Sequence, residues 1–199
     1  METLSFCTDD SAGDCIFKGM PLSTSDEKLR YPIGHFEPPA QITAADRARW
    51  LDDLEMLPNN LREAVEDLAN KQLDTPYRPG GWTVRQLVHH LPDSHMNSYE
   101  RFRLALTEDA PVIKPYDEAA WAELPDAKAA PIEMSLSLLD ALHARWLILL
   151  RSLSDSQLAR TFKHPNLGEV PLNRAIGLYA WHGSHHVSQI VNLRKRKGW

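Results

Sequence analysis

Apolar residues recur at every third or fourth position along four long stretches of this 199-residue chain. That spacing is typical of amphipathic helices that bury one face against each other. The predicted helices cover, in order, residues 43–73, 83–106, 131–153 and 172–197. The second has the clearest start, since Thr83 and Gln86 form a T-x-x-Q capping box. Pro58 and Pro92 lie inside the first two helices and are expected to bend them, because proline removes a backbone donor and crowds the preceding turn.

The connections between these helices predict how the helices are arranged. Residues 111–131 form a long connection between the second and third helices, with one short helix predicted near residues 116–121. Ser154 and Gln157 repeat the capping-box pattern and predict another short helix, and residues 162–170 are predicted to form a turn or small hairpin. Together these features predict an all-α fold, a four-helix bundle with a long crossover between its second and third helices.

The first thirty residues differ in composition from the rest of the chain. They are rich in Ser, Thr, Asp and Gly, lack periodicity, and contain the only two cysteines, Cys7 and Cys15. Residues 1–30 are therefore predicted to be a mostly disordered extension, in which the cysteines form no metal-binding or reactive pair. Residues 31–199 are predicted to form one domain, long enough to bury a substantial core.

The charge balance argues against partners that attract basic proteins. Lys and Arg number 22 and Asp and Glu 27, which gives a formal net charge of -5. Nucleic acids and anionic membranes favour basic surfaces, so neither is an expected partner. The chain has no run of about 18 apolar residues and no secretory signal pattern. A cytoplasmic location without a membrane span is therefore expected.

A pair of histidines near the C-terminal end has the spacing of metal ligands. His182 and His186 are four residues apart in the sequence WHGSHH, so both rings project from one helix face within reach of a single ion. His185 points further out. The Glu that follows the first histidine in the HExxH metalloprotease motif is absent here. Since a catalytic metal usually has three protein ligands, a third ligand must come from elsewhere in the chain.

The second helix is the obvious source of that third ligand. It carries His89, His90 and His95, and periodicity alone does not choose among them. His143 lies beside the apolar face of the third helix, where packing or a local hydrogen bond is the expected role. His164 is predicted to be a loop residue.

Four segments together resemble the YfiT group of the DinB/YfiT-like superfamily. They are GGWTVRQLVHHL at residues 80–91, DSHMNSY at 93–99, KPYDE at 114–118 and GLYAWHGSHH at 177–186. The resemblance extends from about Tyr31 to Trp199. It implies a four-helix bundle, a homodimer, and one divalent ion per subunit, zinc or nickel. Its motifs place the ligands at His90, His182 and His186.

The resemblance also implies an activity. The group is described as metal-dependent hydrolases, in which a metal-activated water would attack a small-molecule substrate. Some relatives instead resemble S-transferases that join bacillithiol to electrophiles, and the residues do not decide between water and a low-molecular-weight thiol. A non-catalytic, metal-stabilised bundle is the alternative from another class of protein.

One carboxylate lies within a turn of a ligand implied by the resemblance. Asp93 is three residues after His90 and is expected to orient an imidazole or to accept a proton. Glu118, on the crossover, is the next candidate for the proton acceptor. Pro92, between His90 and Asp93, is expected to disturb the position of the His90 ring.

Overall fold

Four long helices dominate the structure, a computed structural model that describes residues 24–199. In chain order the elements are α1 (Thr24–Arg30), α2 (Ala44–Val65), α3 (Asn70–Leu73), α4 (Val84–Thr107), α5 (Glu118–Ala122), α6 (Pro125–Ala129), α7 (Ile132–Arg151), α8 (Asp155–Leu158), β1 (Thr161–His164), β2 (Gly168–Pro171) and α9 (Leu172–Lys197). The helices α2, α4, α7 and α9 confirm the predicted bundle. The crossover between α4 and α7 carries two short helices where the sequence predicted one. No helix in this described part of the chain is long and apolar enough to cross a membrane.

Both capping boxes predicted from the sequence are present. The Thr83 hydroxyl accepts from the Gln86 N–H at 3.2 Å, and the Gln86 side chain accepts from the Thr83 N–H at 2.9 Å. Ser154 and Gln157 form the same reciprocal pair before α8. These bonds satisfy donors that a helix N-terminus leaves without partners, so they fix where α4 and α8 begin. The predicted hairpin is also confirmed, as the antiparallel pair β1 and β2.

The prediction for the first helix is wrong beyond Val65. Helix α2 ends there, Asp67 has a left-handed backbone with φ of 59°, and α3 follows as a separate helix. The apolar pattern continues across this break because Leu68 and Leu73 pack against the same core cluster as α2. A periodic pattern reports which side chains are buried, and a turn can preserve it without preserving the helix.

The predicted disordered extension is wrong at its C-terminal end, because residues 24–30 form α1. The Arg30 carbonyl accepts a hydrogen bond from the buried Gln189 side chain of α9 at 2.9 Å. Next to it, the Tyr31 ring packs against His185 with 5.7 Å between ring centroids. Composition did not reveal these contacts because they are made to a distant helix. Residues 1–23, with Cys7 and Cys15, lie outside the described residues.

The helices are arranged so that α2 and α4 each pack against both α7 and α9. Consecutive long helices α2 and α4 therefore occupy opposite corners of the bundle. Glycines bring α9 especially close to α2: a Cβ on Gly183 would lie 2.3 Å from Leu57 Cδ2, and one on Gly177 would lie 2.7 Å from the Trp50 ring. Any larger residue at either position would have to displace its neighbour.

A layer of histidines divides the core into two apolar clusters. Each of the four long helices contributes one residue to either border of this layer. In the order α2, α4, α7 and α9, the residues of one cluster are Leu57, Leu91, Leu139 and Ile190. Those of the other cluster are Leu54, Phe102, Trp146 and Ala180. On α4, α7 and α9 the buried residues His95, His143 and His182 lie between these borders. The bundle thus holds a buried polar layer in the middle of its length.

Helices α2 and α4 both continue through their internal prolines. Pro58 has no N–H to donate to the Leu54 carbonyl, its partner one turn earlier in a regular helix. That carbonyl instead lies 2.7 Å from the Nδ1 of His143 on α7. In α4, Pro92 is buried and the His90 ring still faces α9, so the disturbance expected at this ligand is not observed.

Candidate metal centre

Three buried imidazoles converge between α4 and α9. The Nε2 atom of His182 lies 3.3 Å from the Nε2 of His90 and 3.2 Å from the Nε2 of His186. One ring nitrogen from each of the three residues lies within 4.8 Å of the others. The capping box at the start of α4 sets the position of His90, and the one-turn spacing on α9 places the other two rings on one face. The structure thus brings together the three ligands implied by the sequence resemblance.

The spacing of these nitrogens fits a tetrahedral metal ion. Zinc binds imidazole nitrogen at about 2.0–2.1 Å, so two such ligands at a tetrahedral angle are about 3.3 Å apart. The observed separations of 3.3 and 3.2 Å agree with that value. Imidazole nitrogen is also a ligand type that suits zinc and nickel. These two separations and the donor type therefore suit one divalent ion, and the nitrogens of all three residues lie within 4.8 Å of one another.

A glutamine determines which nitrogen of His186 faces the site. The Nε2 of Gln189 donates to the Arg30 carbonyl at 2.9 Å, which leaves its Oε1 facing the Nδ1 of His186 at 2.9 Å. An amide oxygen can only accept, so Nδ1 carries the proton and Nε2 presents a lone pair. A buried lone pair that points towards other imidazole nitrogens is stabilised by a cation, which is a second reason why a metal fits.

His182 has polar partners on the side away from the site. Its Nδ1 lies 3.2 Å from the Nε2 of His95, whose Nδ1 lies 2.9 Å from the Nε2 of His143. Burial, and then the neighbouring histidines, lower the pKa of His95 well below its ordinary value. Burial also lowers the pKa of His143 to about 4, so both rings are neutral near pH 7. His143 makes a hydrogen bond, as expected from the sequence, but its partner is the Leu54 carbonyl on α2 and not a local group.

The remaining histidines of α4 and α9 have other partners. His89 lies 2.7 Å from the Ser135 hydroxyl and 3.2 Å from the Ala130 carbonyl, both outside the site. The His185 ring stacks on Trp181 with 4.7 Å between centroids, and its Nε2 lies 3.0 Å from Gln189. His185 is therefore beside the centre without belonging to the converging group, as its helical position indicated.

The candidate carboxylate Asp93 forms no hydrogen bond or ion pair with the three imidazoles in the described part of the chain. Among the residues that the structure describes, its carboxylate has no hydrogen-bond or ion-pair partner. Burial and then the charge of Asp126 raise the pKa of Asp93 to about 6. Gln189 and His95 instead contact the rings of His186 and His182, so proton transfer is the role left to test for Asp93. Glu118 is the first residue of α5, on the crossover.

Sequence reasoning missed the side chains that orient the rings. Gln189 is three residues after His186, a helical spacing that could have indicated a contact between them. Pro58, four residues after Leu54, indicated a carbonyl without its helical donor. Neither signal identifies the partner across the bundle, because His143 and Arg30 lie on other helices.

Comparison with known proteins assigns the chain to a family. Residues 53–190 match the model of the DinB superfamily, so the chain belongs to that superfamily. It is 59% identical over 171 residues to a Bacillus cereus protein and 58% identical over 171 residues to one from Bacillus mycoides. Both relatives carry the name "Putative metal-dependent hydrolase", and each alignment covers 86% of this chain and 98% of the relative.

A solved structure narrows the assignment to the YfiT-like group. YfiT from Bacillus subtilis is described as a probable metal-dependent hydrolase with an unusual four-helix bundle topology. It is 53% identical to this chain and superimposes with a TM-score of 0.84, covering 86% of this chain and 99% of YfiT. This protein is a YfiT-like member of the DinB superfamily.

Proposed function

We propose that this protein is a metal-dependent hydrolase of a small-molecule substrate, with one zinc or nickel ion bound by His90, His182 and His186. The observation that carries the proposal is the convergence of three buried imidazoles, in which the Nε2 of His182 lies 3.3 Å from that of His90 and 3.2 Å from that of His186. Two imidazole ligands of a tetrahedral zinc ion have about this spacing. Three protein ligands leave such an ion one position for water or substrate. A bound divalent ion lowers the pKa of water enough to make it nucleophilic near neutral pH.

The ligand assignment is tested by metal content. His90→Ala, His182→Ala and His186→Ala should each lose most of the bound metal, whereas the adjacent His185→Ala should retain it. Elemental analysis of the purified variants measures this, and circular dichroism checks that each remains folded. Full metal retention in His182→Ala would exclude the three-histidine centre.

A catalytic role for the metal is separated from a structural one by chelation. Two apolar clusters hold the bundle together on either side of the histidine layer. Metal removal should therefore abolish turnover and leave helical content intact. Unfolding on chelation would favour a metal-stabilised bundle without catalysis.

We assign proton transfer to Asp93. A pKa of about 6 suits a group that accepts a proton near neutral pH. Asp93→Asn should lower turnover by about 10²–10⁴-fold and remove the acidic limb of the pH profile. Metal content should stay unchanged because the carboxylate forms no hydrogen bond or ion pair with the three imidazoles. An unchanged turnover and pH profile would exclude Asp93, and Glu118→Gln would then be the variant to test.

The nucleophile is identified by a paired screen. The metal-loaded protein is incubated with ester and amide substrates in one arm, and with electrophiles plus bacillithiol or a simple thiol in the other. Hydrolysis without thiol supports the proposal, whereas thiol conjugation alone would make the protein an S-transferase. The homodimer implied by the family remains a prediction, which sedimentation of the purified protein tests.

A further inference from the structure

A row of buried polar groups runs from the candidate metal ligand His182 to the opposite corner of the bundle. His182 Nδ1 lies 3.2 Å from His95 Nε2, His95 Nδ1 lies 2.9 Å from His143 Nε2, and His143 Nδ1 lies 2.7 Å from the Leu54 carbonyl oxygen. All three contacts lie in the buried core. The row crosses four helices, α9, α4, α7 and α2, and its middle members are the histidines that the proposed hydrolysis does not use.

The carbonyl at the end gives the row a single direction. A carbonyl oxygen accepts and never donates, so the Nδ1 of His143 carries a proton and its Nε2 is an acceptor. The Nδ1 of His95 must then be the donor to His143, which leaves His95 Nε2 as the acceptor for the Nδ1–H of His182. A neutral imidazole has one ring proton, so the Nε2 of His182 carries no proton and presents its lone pair. It is this nitrogen that faces His90 and His186.

The Leu54 carbonyl, which ends the row, can accept a hydrogen bond from His143 because of a proline. In an unbroken helix the Leu54 carbonyl would accept from the N–H of residue 58, and Pro58 has none. Helix α2 continues through this proline, so the carbonyl is free to accept from the side chain of α7. The row is thus satisfied at every interior position, which buried polar groups require.

We propose that His95 and His143 are positioning residues that hold His182 in the tautomer and orientation needed to bind metal. The Leu54 carbonyl fixes the tautomer of His143, His143 fixes that of His95, and His95 fixes that of His182. The inference rests on the proposed role of His182 as a ligand. Its consequence is that a change at His143, two hydrogen bonds away from the ligand, alters metal affinity. Without an acceptor at residue 143, His95 can adopt the other tautomer and donate to His182, whose Nε2 would then carry the proton.

The test compares pairs of variants at each position in the full chain. Glutamine has one amide acceptor and one amide donor, so His95→Gln and His143→Gln can preserve the direction of the row. His95→Leu and His143→Met fill similar space and break it. Competition with a chromophoric chelator measures the zinc dissociation constant. The breaking variants should bind zinc about 10–100-fold more weakly, and the glutamine variants within a few-fold of the unmodified protein.

A matched control separates positioning from loss of stability. His89 is another buried histidine of α4 with two hydrogen bonds, and neither partner leads to His182. His89→Leu should lower thermal stability as the breaking variants do, with zinc affinity unchanged. Equal affinity losses in His95→Leu, His95→Gln and His89→Leu would overturn the proposal, because they would show a general effect of disturbing the core.

A second readout reports the tautomers without any metal. Long-range nitrogen–proton NMR spectra of the metal-free protein, ring-labelled at histidine, distinguish protonated from bare ring nitrogens. His143, His95 and His182 should each be protonated at Nδ1. Protonation of His95 at Nε2 would overturn the proposal, even if His182 binds metal. If His182→Ala retains zinc while the tautomers are as expected, the ligand assignment fails and the hydrogen-bonded row stands.

Discussion

The two histidines that α9 contributes to the candidate metal centre lie one turn apart, and different parts of the molecule hold them. His182 is joined through His95 and His143 to the Leu54 carbonyl, a path that stays inside the bundle core. His186 is joined through Gln189, on its own helix, to the Arg30 carbonyl at the end of α1. Each path ends on a backbone carbonyl, and each therefore leaves a bare Nε2 facing the site.

The difference between these two paths is where their far ends lie. The path from His182 is complete only when α2, α4, α7 and α9 are assembled, so it forms with the bundle itself. The path from His186 depends on one short segment at the edge of the bundle, where water can replace a lost protein partner. We expect the core path to be the stiffer one, since a buried group that loses its partner is not rescued by water.

The largest expected effect comes from breaking both paths together. Gln189→Leu should weaken zinc binding about 10-fold and His95→Leu up to about 100-fold. If the paths act independently, the free energies add and the double variant should bind about 10³-fold more weakly. Chelator competition on the two single variants and the double variant measures this. A double variant no weaker than His95→Leu would show that both rings move together with α9.

Acidification should destabilise the folded protein through His143, the buried imidazole of the core path. Burial lowers the pKa of His143 to about 4 in the folded protein. The unfolded pKa is about 6.5, so the unfolded state binds more protons between these values, and stability is lost as the pH falls through this window. The loss for His143 is up to about 3 kcal/mol.

Urea unfolding of the metal-free protein at about pH 7 and about pH 4.5 measures that loss, with His143→Gln as the matched variant. The variant should lose less stability between the two pH values. Asp93, whose raised pKa contributes with the opposite sign, is present in both proteins and cancels in the comparison. The same loss in both proteins would contradict a buried neutral imidazole at position 143.

The smallest expected effect concerns the far end of the core path. Pro58→Ala restores an N–H that competes with His143 for the Leu54 carbonyl. A carbonyl oxygen has two lone pairs and can accept from both, so the path should weaken without breaking. Zinc affinity should fall by a few-fold at most, with the His143 tautomer unchanged. A loss as large as that of His143→Met would mean that the carbonyl serves only one donor.

The sequence predicted the bundle because each helix is specified by interactions between residues that are close in the chain. The stripe of apolar residues and the Thr83–Gln86 capping box depend on neighbours within a few positions, and both are confirmed. The pattern was wrong where burial continues without a helix, after Val65, and where a polar segment is held by distant contacts, at residues 24–30. In both cases a tertiary contact overrode what the local composition favoured.

For the site, the sequence by itself determined the spacing of His182 and His186 on one helix face, and the family resemblance added His90. Periodicity left His89, His90 and His95 open. The tertiary structure places His89 against Ser135 of α7, His90 against His182 of α9, and His95 in the row behind His182. The tertiary structure also determines which ring nitrogen each histidine directs towards the candidate site. A tautomer depends on the group across the hydrogen bond, and for these histidines that group lies on another helix or is itself held by one.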